Sequence, residues 1–166
     1  MDTQPLGSYG LLKKYADEAR ILSIAYAYSE SKFRMLNKWL TYPVIILSSL
    51  ASVFSGLDMD KFILLGLSLS ILILSGFNTA IGPLDRSNRA NQFKTEFDNI
   101  SSDIGQFINE NNKTKDEIKA YSAQCHELLN VWKSLSPPVQ SSFVKQASIE
   151  VLASRKSISK KKESPV

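Results

Sequence analysis

The sequence predicts an all-α membrane protein, a two-span transmembrane helical hairpin continuous with a cytoplasmic helical bundle. Two uncharged runs carry that reading: residues 39–57, with 19 residues, and residues 62–84, with 23, separated only by Asp58, Met59, Asp60 and Lys61. At about 1.5 Å of helical rise per residue, both runs reach the roughly 30 Å of a hydrocarbon core. The chain on either side is charged, and its apolar residues recur at helical steps of three and four. A soluble bundle with two buried helices is the competing reading. A helix that is apolar all round needs a shell of other structure, and the rest of a 166-residue chain is too short and too amphipathic to wrap two of them.

The first element, residues 8–38, is an amphipathic helix whose seam is Tyr15, Ala19, Leu22, Tyr26, Ser29, Phe33, Leu36 and Leu40. No proline interrupts it before Pro43, so the helix is expected to run straight into the first span, residues 39–57, and to bend where Pro43 removes a backbone donor. Trp39 and Tyr42 stand at that boundary, where amphipathic rings favour the headgroup layer. Residues 58–61 form a short polar loop. A charged side chain at mid-membrane costs roughly 2.5–3.5 kcal/mol on insertion scales, so this loop belongs in water on the far side. The second span is residues 62–84.

A helical hairpin over residues 85–135 follows. Phe93, Phe97, Ile100, Ile104 and Phe107 continue the rhythm, the polar stretch "NENNK" breaks it, and Thr114 with Glu117 has the spacing of a capping box. The next stripe is Ile118, Tyr121, Cys125, Leu128, Trp132 and Leu135. At "SPP", Ser136 can cap and Pro137 can open a last short helix, residues 136–154, before a basic tail, residues 155–166. Helices outside the bilayer with stripes of similar pitch pack most simply on one another.

Charge sets the orientation. Lys32, Arg34 and Lys38 precede the first span and Arg86, Arg89 and Lys94 follow the second, whereas the loop offers only Lys61. Both termini are therefore expected in the cytoplasm or on the equivalent shell-facing side, as a multi-pass membrane protein. The glycosylation patterns at Asn99 and Asn112 are silent in that orientation. The net charge of +4 equals the excess of Arg155, Lys156, Lys160, Lys161 and Lys162 over Glu163, so the body of the chain is neutral. Such a tail reads either as a solvated terminus or as an attachment to an anionic surface, of lipid or of another protein subunit; nucleic acid is the less favoured partner.

Enzymatic chemistry finds no constellation here. Cys125 is the only cysteine and His126 the only histidine, so neither an internal disulfide framework nor a zinc cluster can be assembled; as neighbours about 100° apart around a helix they are poorly placed to act on one another, Cys125 reads as a small core residue, and no metal or cofactor is expected. The carboxylates lie in mixed-sign company on helix surfaces, and no glycine loop that would cradle phosphate is present. Inside the spans, Ser48, Ser52 and Gly56 recur every four residues and Gly66 and Ser70 do likewise, a spacing that lets helices approach closely. Asn78 is the one strongly polar side chain there, read as an interhelical hydrogen bond rather than a pore lining.

The order of an amphipathic helix, "MLNKWLTYPVIILSSLASVFSG", a minimal loop, a second span ending "FNTAIGPLD" and a helical hairpin resembles the SLATT superfamily of two-span proteins over about residues 12–135. That resemblance implies one of two roles. Members beside bacterial nucleotide-signalling genes are regarded as pore-forming effectors, and similar two-span proteins occur in large icosahedral DNA viruses with an internal membrane, as minor capsid or virion membrane components. The Lys-rich tail fits the second role better, with a bilayer and a protein shell, or further copies of the chain, as partners.

Overall fold

The computed structural model describes residues 6–57, 60–110 and 113–162. Those residues form five helices: α1 (Leu6–Gly56), α2 (Lys61–Ile81), α3 (Pro83–Asn109), α4 (Lys115–Leu135) and α5 (Ser141–Lys162). Two compact units divide them, one made of the chain up to Ser29 with Ala90 onward, the other of Glu30–Arg89.

The first unit has a core of its own. Leu12, Ala19 and Tyr26 of α1 are buried with Phe97, Ile100 and Ile104 of α3 and with Ile118, Cys125 and Leu129 of α4. Tyr26 is its hub: its ring lies parallel to Phe97 at 5.7 Å and tilted against Phe93 at 5.6 Å, and its hydroxyl donates to the Pro137 carbonyl at 2.6 Å. Burial raises the pKa of that hydroxyl above the ordinary tyrosine value. The capping box expected at α4 is formed, with the Glu117 amide donating to Thr114 Oγ1 at 3.3 Å and the Thr114 amide donating to Glu117 Oε2 at 2.8 Å. The Thr114 backbone amide first, and the Thr114 side chain second, hold the Glu117 carboxyl below its ordinary pKa.

The stripe expected on α4 needs correction. Its buried residues are Ile118, Ser122, Cys125 and Leu129, while Leu128 and Leu135 are 43% and 64% exposed. At about 100° per residue, Leu129 lies only about 20° around the helix from Ile118 and the predicted Leu128 about 80°, so the face that buries Ile118 takes Leu129.

The last helix also differs from expectation. Ser136 closes α4, its amide donating to the Trp132 carbonyl at 2.9 Å, and α5 opens only at Ser141, where the Gln140 carbonyl accepts from Phe143 and Val144. Two consecutive prolines explain the delay: each disfavours helical backbone in the residue before it, which takes Ser136 and Pro137 out of the α region together. The helix then runs to Lys162, past the expected end at residue 154. Residues 163–166 of the expected tail lie outside the described residues, as do the side chains of Lys156, Lys160, Lys161 and Lys162.

Candidate membrane hairpin and basic segment

The second unit holds both uncharged runs. In the most apolar 18 residues of each of its two long helices, no residue is buried. Large side chains stand open along both, among them Ile46 at 59%, Val53 at 58%, Leu65 at 68% and Leu72 at 70% exposure. A soluble core helix would show the opposite. Both helices are long and apolar enough to cross a membrane.

Their mutual face is a half-buried stripe. On α2 it is Leu64, Leu67, Ile71, Leu74, Asn78 and Ile81; on α1 it includes Val44, Leu47, Ala51 and Phe54, at steps of three and four on both. The far ends of the hairpin meet: the Arg86 guanidinium lies 5.7 Å from the centre of the Phe33 ring, and Ser87 Oγ donates to the Glu30 carbonyl at 3.4 Å. Lys32, Arg34, Lys38, Arg86 and Arg89 therefore fall at one end of this unit and Lys61 at the other. The predicted loop is only partly described, because residues 58 and 59 lie outside the described residues; Asp60 caps α2 by accepting the Phe62 amide at 3.0 Å, and Lys61 is already helical.

The second span does not run to residue 84 as one helix. It ends at Ile81, Gly82 adopts φ 55° with its amide on the Asn78 carbonyl at 3.1 Å, and α3 begins at Pro83. Proline has no amide to continue the ladder and pushes the preceding residue out of helical backbone, and glycine reaches the left-handed region without a Cβ clash. Twenty-one residues remain in α2, about 31 Å of helix, still enough to span. On α1, Pro43 lies inside a helix that continues past it.

The small-residue faces are not where the hairpin packs. Ser48, Ser52, Gly56, Gly66 and Ser70 are all exposed, and a Cβ added at Gly56, Gly66 or Gly76 would meet nothing within 4 Å. The seam went to the bulkier stripe, which buries more surface per turn. The hydroxyls are satisfied inside their own helices instead: Ser48 donates to the Val44 carbonyl at 2.7 Å and Ser70 to that of Gly66 at 2.9 Å. Such back-bonding is how a hydroxyl meets the demand for partners in hydrocarbon. Asn78 also departs from expectation, since its Oδ1 is buried and accepts no hydrogen bond among the described residues.

In the first unit, Arg155 is occupied by an ion pair with Asp17 of α1. On α5, Phe143, Ala147 and Val151 share one face, which turns inward: Ala147 and Val151 are buried, and Phe143 lies 6.0 Å from the Tyr28 ring, whose hydroxyl donates to Glu150 at 3.0 Å. Of the five predicted attachment cations, Arg155 thus pairs within the chain.

Cys125 and His126 diverge as their helical angle requires. Cys125 is buried, which pushes its thiol pKa up, while His126 lies 5.5 Å from the Tyr15 ring and within 3.1 Å of Asn130 Nδ2. No protein-family profile matches the chain, and no curated protein or solved structure does.

Proposed function

We propose that this chain is a non-enzymatic membrane anchor, a two-span hairpin that fixes a folded helical unit to a bilayer and links the bilayer to a protein assembly, of which a virion shell around an internal membrane is the most concrete case. The observation that supports it is the contrast between the two units. One has apolar helices with no buried residue in their most apolar stretches, and the other closes its own aromatic core and ends in a lysine-rich helix. Both termini lie on the side of Lys32, Arg34, Lys38, Arg86 and Arg89 in this reading. Attachment falls to the lysines of α5, since Arg155 is paired and Phe143, Ala147 and Val151 are turned inward.

A second reading, a pore-forming effector, is favoured by one feature: Asn78 holds a buried, unpaired oxygen within a span, which a polar pathway opened along the α1–α2 seam would satisfy. Planar-bilayer recording of the reconstituted chain separates the two. The anchor gives no discrete conductance steps; steps that Asn78→Leu abolishes or resizes would establish the pore.

A further inference from the structure

On the outer face of α1, at the boundary between its charged and uncharged parts, Met35, Lys38, Trp39, Tyr42, Pro43 and Ile46 line a concavity of about 470 Å³. We propose that this concavity binds an anionic phospholipid. The inference rests on the membrane reading above, and deepens it by naming a lipid class and the residues that select it.

The residues divide by chemistry along the helix. Pro43 and Ile46 lie inside the uncharged run and offer an apolar floor one turn deep, the surroundings an acyl chain takes. Trp39 and Tyr42, 69% and 57% exposed, supply an indole N–H and a phenol O–H at the level where their rings favour the headgroup layer. Lys38 stands at the rim, exposed and in no ion pair among the described residues. An ammonium and two neutral donors above an apolar floor match a phosphodiester above its chains. The field around them has the same sign, since this end of the hairpin gathers Lys32, Arg34, Lys38, Arg86 and Arg89 against Glu30 and Asp85.

The chain contains two tryptophans, Trp39 and Trp132, so Trp132→Phe makes Trp39 the sole indole reporter in the full-length protein. Reconstituted in vesicles, this variant is titrated with brominated phosphatidylglycerol and, separately, with brominated phosphatidylcholine. The expected result is quenching by both lipids with about fivefold stronger association of the glycerol lipid, equivalent to about 1 kcal/mol for one basic contact. Lys38→Gln should reduce that ratio to about one, and the same loss should appear in the two-tryptophan chain carrying Lys38→Gln alone. Equal association of both lipids would overturn the site and leave the span standing. Quenching by neither would overturn the membrane reading itself. Quenching that disappears as the protein-to-lipid ratio rises would show a second copy in the concavity, and would also overturn the proposal.

Discussion

Tyr26 offers the most direct test of how the first unit is held together, because two kinds of interaction meet on one side chain and can be removed separately. Tyr26→Phe keeps the ring against Phe97 and Phe93 and deletes only the hydroxyl, leaving the Pro137 carbonyl without the donor that now lies at 2.6 Å. Removing one partner of such a bond costs about 1–3 kcal/mol. Tyr26→Ala removes the ring as well, from a position 2% exposed, and large aromatic truncations in cores cost about 3–5 kcal/mol before the lost hydrogen bond is added. The assay is denaturant unfolding of the full chain in detergent micelles. A Trp39→Phe background leaves Trp132, edge-on to Phe93 at 6.1 Å, as the reporter of this unit. The expected order is wild type, then Tyr26→Phe lower by about 1–3 kcal/mol, then Tyr26→Ala lower by at least about 4. A Tyr26→Phe chain within about 0.5 kcal/mol of wild type would refute the claim that this hydroxyl ties the α4–α5 connection to α1.

Three further outcomes are expected. Gly82→Ala should lower the thermal stability by about 1–2 kcal/mol, read by circular dichroism, because alanine must hold the left-handed backbone that glycine now occupies at φ 55°. Thr114→Ala should cost about 1 kcal/mol through loss of the capping box, with Thr114→Ser restoring most of it. Burial pushes the Tyr121 pKa up to about 12 from 10.0, so its native form holds the proton more tightly than the unfolded chain does. The stabilisation is complete below pH 10 and is lost as pH rises through about 12; absorbance titration near the phenolate band should show a late-ionising component that Tyr121→Phe reduces.

Much of this architecture is legible in the sequence because long apolar runs and helix seams are one-dimensional signals. All eight residues of the α1 seam from Tyr15 to Leu40 are buried or half-buried, and Thr114 with Glu117 marks the α4 start at the right residue. The departures have local causes. The Gly82–Pro83 dipeptide inside an apolar run is itself a break signal, and hydropathy alone passes over it. Leu128 and Leu129 are adjacent and equally apolar, so periodicity cannot choose between them. The small-residue faces of Ser48, Ser52, Gly56, Gly66 and Ser70 satisfy a packing pattern without saying which partner uses it, and in this hairpin the bulkier stripes meet instead. Nor does composition reveal that Arg155 sits beside Asp17, a pairing 138 residues apart in sequence. The concavity at Trp39 was legible only as two aromatics at a boundary; its shape needed the fold.

Glycosylation mapping in microsomes decides whether residues 39–57 and 62–81 cross a bilayer as a hairpin with both ends on one side. The turn at residues 58–61 is extended with a flexible Gly/Ser insert bearing Asn-Ser-Thr, while Asn99 and Asn112 serve as native reporters on the other side. A hairpin of that orientation carries one glycan on the extended turn and none at Asn99 or Asn112, and stays in the membrane pellet after alkaline carbonate extraction. A glycan at Asn99 or Asn112 with none on the turn would reverse the orientation, and release of an unglycosylated chain by carbonate would contradict the hairpin altogether.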